Sequence, residues 1–264
     1  MRTAWLSRYA ALVAACTLWL IISGASFSPN EYRPLYSLGQ THELAGVAVG
    51  ILMAGLAVWL WLVEDRPWVS RLGWVALSLV ITEALLGYQK LPLAPPVRFV
   101  HSLLAQLFFS TTVAITVLTS PIGKQDKELA GNKASYIRPL GIATSGLVLV
   151  QVGLGTAFRH GAFEIAPHLI GAIVVLIAVV ILAMILMQHS EYPRPLHSSV
   201  NALMTLVGIQ VFLGFAAWTL GLPEIDPSAV IIATVAHTAT GALILATSSV
   251  TVIQFLRYIH PKVY

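Results

Sequence analysis

The sequence predicts an all-α polytopic membrane protein, with eight transmembrane helices forming two pseudo-repeated four-helix bundles. Three observations predict it. Of 264 residues, 57% are hydrophobic and only 10% charged. Eight apolar stretches approach or exceed the roughly 20 residues that a spanning helix requires. A histidine-centred pattern then recurs four times along the chain.

The stretches fall at about 8–26, 42–63, 70–89, 98–119, 138–157, 164–188, 197–220 and 229–257. Backbone groups in lipid must be satisfied within the segment, and runs this long and uniformly apolar do so as helices, not barrel strands. The first run follows Arg2 and Arg8 and ends in small residues at 23–26, which imitates a cleaved signal peptide. It is kept as a helix because the repeat below needs it. It also holds the one cysteine, Cys16, so no disulfide framework exists within the chain. The longest polar stretch, "GKQDKELAGNK" at 123–133, interleaves basic and acidic residues as a solvated linker does. It divides the chain into an N-terminal half (1–122), a linker (123–137) and a C-terminal half (138–264).

Charge sets the orientation. With the N-terminus in the cytoplasm, eleven basic residues fall on inner segments, among them Arg66, Arg71, Lys124, Arg138, Arg194 and Arg257. Four (Arg33, Lys90, Arg98 and Arg159) fall on outer loops. This is the positive-inside bias of a multi-pass protein of the inner (plasma) membrane with both termini cytoplasmic. It accounts for the net charge of +4 without a nucleic-acid partner.

The second, fourth, sixth and eighth spans each open on a histidine: "THELAG" (His42), "VHSLLA" (His101), "PHLIGA" (His168) and "AHTATG" (His237). Four residues on, one helical turn deeper on the same face, stand Gly46, Ala105, Ala172 and Gly241. Removing bulk beside an imidazole makes room for something large and flat. The preceding spans end in "EALLG" (83–87), "QVGLG" (151–155) and "QVFLG" (210–214), while the first ends in "LIISG" (20–24) without the polar residue. The unit is a helical hairpin repeated four times, and a fixed repeat implies equivalent places in the fold. Since all even-numbered spans run inward, all four histidines lie near the outer face, with His42 facing His101 and His168 facing His237.

Two readings of these histidines stand side by side. A lone intramembrane histidine is satisfied by hydrogen bonding to a neighbouring helix. Four at matched depth suggest function, and facing pairs in a helix bundle suit the two axial positions of a haem iron. A bare zinc or copper ion wants three or four convergent ligands, often with thiolate or carboxylate, and each half supplies two histidines. Arg98, three residues before His101, and Arg159 are candidates to hold haem carboxylates through bidentate guanidinium contacts, or else are interfacial residues; His160 is ambiguous in the same way. Glu83 is a buried carboxylate whose repeat equivalents are glutamines. Glu43 points about 100° away from His42 around the helix. His189, His197 and His260 read as solvated residues.

On the four histidines, on "QVGLGTAFRHGAFEIAPHLIGA" (151–172) and on "EALLGYQKLPLAPPVRFVHSLLAQLFF" (83–109), the chain resembles the haem A synthase family over all eight spans. The resemblance implies an enzyme that oxidises a methyl group of haem O to the formyl group of haem A for cytochrome oxidase assembly. It implies that His168 and His237 hold a resident haem b and that His42 and His101 address the haem being oxidised. Implied partners are the haem substrate, an electron donor, haem O synthase or oxidase assembly proteins, and the bilayer. The better-studied bacterial members carry a glutamate three residues before the first histidine, where this chain has Gly39, and often a cysteine pair in the first outer loop, where 26–40 has none. The carboxylate's part then falls to Glu43 or Glu83. A bis-histidine membrane cytochrome and a haem-delivering assembly factor are the rival functions. A transporter is disfavoured because no span has a central Gly/Pro break beside a charge.

Overall fold

The computed structural model describes residues 2–26, 36–87, 94–120, 134–189, 191–220 and 227–259. They form eight helices: α1 (Arg2–Ala25), α2 (Tyr36–Val63), α3 (Pro67–Gly87), α4 (Pro95–Thr119), α5 (Ala134–Arg159), α6 (Ile165–Met187), α7 (Arg194–Leu220) and α8 (Pro227–Tyr258). All eight are long and apolar enough to cross a membrane, and the chain is a multi-pass membrane protein. The linker at 123–133 lies outside the described residues.

Most of the helices run beyond the apolar stretches that announce them. The hydrophobic run marks only what lipid covers, whereas helical hydrogen bonding continues into the polar ends. Proline at the first position of α3, α4 and α8 helps start those turns, since its missing N–H is one the helix does not need there. The extension matters most in α2, which begins six residues before His42, so that Gly39 is helical.

Helix faces sort by solvent. On α6 the exposed residues Ile170, Ile173, Val174, Ile177, Ile181 and Met184 recur at helical spacing, and Val175, Val179, Leu182 and Leu186 turn inward to the core. Large apolar side chains belong outside when the solvent is hydrocarbon. Trp5, Trp19, Trp61, Trp68 and Trp218 are all more than half exposed, in keeping with the interfacial and lipid-facing placement expected of them.

Helices α1, α2, α3 and α4 pack in a closed ring, each on the next and α4 back on α1; α5, α6, α7 and α8 do the same. Among the described residues the backbones of α2 and α4 do not approach each other, nor do those of α6 and α8, so the histidine-bearing helices stand on the diagonals of their rings. The rings meet through α4 on α8, α1 on α8 and α4 on α5. Adding four to each helix of the first ring converts this set of contacts into itself, the mark of a pseudo-two-fold relation. Ser110 on α4 and Ser249 on α8 share a hydrogen bond of 2.8 Å across the junction, and the buried Gln106 donates to Thr156 at 3.2 Å.

The close-packed core lies toward the end away from the histidines. In the first ring it is built around Leu6, Met53, Leu56, Leu60, Val69 and Leu118. In the second it is built around Ile137, Leu182, Leu186, Leu196 and Phe255. Gly141 lets the Phe255 ring lie directly against α5.

Candidate functional site

Each even-numbered helix presents its histidine to the odd-numbered helix before it. His42 Nδ1 lies 2.8 Å from Ser23 Oγ on α1, and His101 Nδ1 lies 2.8 Å from Glu83 Oε2 on α3. His168 Nδ1 lies 3.0 Å from Gln151 Nε2 on α5, and His237 Nε2 lies 3.2 Å from Gln210 Nε2 on α7. A glycine on the same odd helix gives each ring its place. A Cβ on Gly24, Gly87, Gly155 or Gly214 would stand 2.9, 3.4, 2.8 or 3.0 Å from the Cε1 of the matching histidine. Glycine here is needed for close approach, not for backbone freedom.

This fourfold arrangement corrects one reading of the sequence. The first helix has Leu20 where the others have glutamate or glutamine, yet its histidine is not without a polar neighbour, because Ser23, beside Gly24, reaches it instead. Ser23 also donates to the Leu20 carbonyl at 2.9 Å. With its proton committed there, the hydroxyl oxygen is placed to accept from His42 Nδ1–H. The only signal in the sequence was a small hydroxyl residue one position from the glycine.

The expected pairs come together. The rings of His168 and His237 have centroids 6.2 Å apart and planes at 82°. Two nitrogens held at about 2 Å from one metal are about 4 Å apart, which places ring centroids about 6 Å apart once the ring radii are added. His42 and His101, from the opposite diagonal pair, lie close enough to act on each other electrostatically. The residue seven positions on from each histidine, two turns deeper on the same face, is buried in all four helices: Val49, Phe108, Val175 and Ile244. These four form a floor under the imidazoles, and the small residues lie between.

Those small residues are not equivalent. Among the described residues nothing lies within 4 Å of a Cβ built on Gly46, while the Gln210 amide stands 3.3 Å from that of Gly241. Ala105 packs against the cluster of Ala14, Ile21, Phe109, Ala242 and Ala246 between the rings, and Ala172 is half-buried. The room expected at all four places is plain at Gly46 and is partly taken by the glutamine at Gly241.

The residues fit an iron-porphyrin. Each ring of helices brings two imidazoles in from diagonal positions, and among the described residues no three His, Cys, Asp or Glu side chains gather as a bare metal ion would need. Gln151 Oε1 and Gln210 Oε1 are buried without a hydrogen-bond partner. A half-turn of the Gln210 amide would bring its oxygen to His237 Nε2–H and leave Nδ1 a lone pair, the arrangement that orients ligating histidines, whereas the Gln151 amide is fixed by its second bond, to the His168 carbonyl at 2.9 Å.

The remaining candidates divide. Arg159 donates to Thr238 Oγ1 at 2.6 Å and to the Ala25 carbonyl at 2.7 Å, which ties α5 to both α8 and the end of α1. That uses two of the guanidinium's five N–H groups. Arg98 is half-buried, one turn before His101. Glu43 is exposed, away from the histidine face as its 100° offset implies. His189 is not solvated: it meets Tyr136 Oη at 3.3 Å, Glu191 at 3.3 Å and the Tyr192 ring edge-on. Glu191 and Tyr192 come from the same connection, and Tyr136 comes from α5, which the local sequence does not reveal. His197 is half-buried, and His260 lies outside the described residues.

His160 sits just past α5 with neither ring nitrogen hydrogen-bonded. Burial, then the charges of Arg159, Arg98 and His101, push its pKa down from 6.5 to about 4. It is neutral in the folded protein at pH 7, while in the unfolded chain it takes up a proton near 6.5. A group whose folded pKa is depressed lowers stability as pH falls through that window. The thermal midpoint in detergent is therefore expected to drop between pH 6.5 and 4, and His160→Gln to flatten that part of the profile. An unchanged slope in the variant would contradict the assignment.

A scan against protein-family models finds no match, and a search of curated proteins finds no similar sequence.

Proposed function

We propose that the chain is a haem-binding membrane oxidoreductase of the haem A synthase type. In this reading both termini are cytoplasmic and the histidines lie near the outer face of the plasma membrane. His168 and His237 hold a resident haem b, and His42 and His101 hold the haem O whose methyl group is oxidised to the formyl of haem A for cytochrome oxidase assembly. The observation that carries it is the facing pair His168 and His237, brought from diagonal helices to a centroid separation of 6.2 Å.

When bound, the haems supply the redox chemistry, and the protein supplies orientation and surroundings. The imidazoles fix where the iron sits. Ser23, Glu83, Gln151 and Gln210 fix the direction of the imidazoles, and outer partners of this kind are commonly worth 10–100-fold in metal affinity. Val49, Phe108, Val175 and Ile244 close the inner side and keep water from entering there. Arg98 and Arg159 are the candidates to receive the haem carboxylates.

One observation favours a second reading, a bis-histidine cytochrome that passes electrons without altering its haem. Gly39 offers no carboxylate above His42, and Glu43 faces outward. Pigment extraction separates the two. Membranes from cells that also make haem O are expected to contain haem A when the chain is expressed; haem B and haem O alone, in a preparation whose haem sites are filled, would sink the enzymatic reading and leave the cytochrome.

A further inference from the structure

We infer that Gln106 and Arg159 are positioning residues that act across the junction of the rings, each holding the place beside a histidine seat of the other ring, so that filling one histidine pair with haem raises the haem affinity of the other. The inference rests on the haem-binding reading above and deepens it by naming how the two sites regulate each other.

Two hydrogen bonds carry it. The first runs from the first ring to the second: Gln106 on α4 donates to Thr156 Oγ1 on α5 at 3.2 Å, and both side chains are buried. Thr156 follows Gly155, the glycine against which the His168 ring lies. The second runs the other way: Arg159 on α5 donates to the Ala25 carbonyl on α1 at 2.7 Å. Ala25 follows Gly24, the glycine against which the His42 ring lies. Gly24 and Gly155 hold the same place in the repeat, and therefore so do Ala25 and Thr156. Each ring grips the residue just past a seat of the other, through a different side chain on each side of the pseudo-dyad.

The near ends of these bonds also lie beside ligand positions. Gln106 follows Ala105, one turn past His101. Arg159 donates as well to Thr238 Oγ1 at 2.6 Å, next to His237. Thr238 gives its own proton to the Thr234 carbonyl at 2.8 Å and so meets the guanidinium with an oxygen lone pair. The two crossings thus join His101 to the seat of His168, and His237 to the seat of His42. A ring drawn onto iron moves together with the glycine packed on it, and the displacement reaches the next residue of the same helix. The hydrogen bond passes it on, because parting buried polar partners is costly. Binding at one site completes part of the ordering that the other requires, and such coupling is reciprocal. Ser110 and Ser249 also bond across the junction, at 2.8 Å, but deeper than Phe108 and Ile244 and beside no seat.

The test is hemin titration of the full-length protein, freed of haem, in detergent. His101→Ala leaves the second ring alone to bind, and His168→Ala the first. Coupling makes the product of the wild type's two dissociation constants smaller than the product of those two single-ring constants, by about fivefold or more. Thr156→Val and Gln106→Leu, each made in the wild type and in both single-ring variants, are expected to bring that ratio toward one, with Thr156→Ser restoring it. Arg159→Gln is expected to lower it too, since any haem carboxylate it ceases to hold weakens one site in both measurements and cancels. Ser110→Ala should leave the ratio in place. A general loss of stability that weakens each site alone does not move it. A wild-type ratio of one, a ratio indifferent to Thr156→Val and Gln106→Leu, or one that Ser110→Ala lowers as much, overturns the coupling and leaves the paired-histidine reading standing. No hemin uptake by the wild type, or two hemins still bound by either single-ring variant, overturns the reading beneath it.

Discussion

His168→Ala is expected to empty the second ring of haem, with His237→Ala doing the same and Gln151→Leu producing a graded version. The two imidazoles approach from opposite corners of the ring with centroids 6.2 Å apart, so neither has a substitute. The residue that would follow His168 inward is Val175, which has no ligating atom. Loss of a ligand is expected to exceed the 10–100-fold effect typical of an outer partner, and Gln151→Leu should fall within that range. The measurement is haem per chain and the height of the visible absorption bands in purified protein, with the thermal midpoint recorded alongside. Full haem content in both histidine variants would mean that the pair is only a hydrogen-bonded contact between helices.

The second large effect concerns a residue with no side chain. Replacing glycine by alanine inside a helix ordinarily stabilises it by about 0.5–1 kcal/mol. Gly155→Ala is expected to reverse that sign. Its Cβ would stand 2.8 Å from Cε1 and 3.1 Å from Nδ1 of His168, and the ring has little freedom to retreat because Gln151 holds both its nitrogen and its backbone carbonyl. Overpacking of this kind costs about 1–3 kcal/mol, and the displaced imidazole no longer meets its partner. Gly153, two positions earlier on the same helix, has nothing within 4 Å of its Cβ, so Gly153→Ala supplies the control. Haem content and thermal midpoint should fall for the first and hold or rise for the second; equal behaviour would remove Gly155 from the site.

Much of this was legible in the chain before its fold was known. Eight spans follow from hydropathy because lipid leaves no alternative to internal hydrogen bonding. The recurrence of histidine with a small residue one turn on is a statement about faces, which helical geometry converts directly into position. The glutamate or glutamine four residues before glycine was visible as an echo on three helices. What it does was not visible, since that depends on which helix lies alongside. Ser23 escaped for the same reason: it stands one place from Gly24 instead of four, and only the packing of α1 on α2 shows that the hydroxyl reaches His42. The difference between Gly46 and Gly241 was hidden as well. Sequence shows that both lack a side chain, but not that Gln210 leans into the second space while none of the described residues leans into the first.

The exchange of contacts between the rings has a consequence for ancestry. An interface in which α4 meets α8, and α1 meets α8 as α4 meets α5, is what two identical subunits make when they join by matching surfaces around a dyad. A chain of half this length, bearing the first four helices' pattern, would need no new surface to assemble as a homodimer with two facing pairs of histidines. Joining two such copies end to end frees each to diverge, and the divergence is already written in the partners of the imidazoles: serine and glutamate on one side, two glutamines on the other.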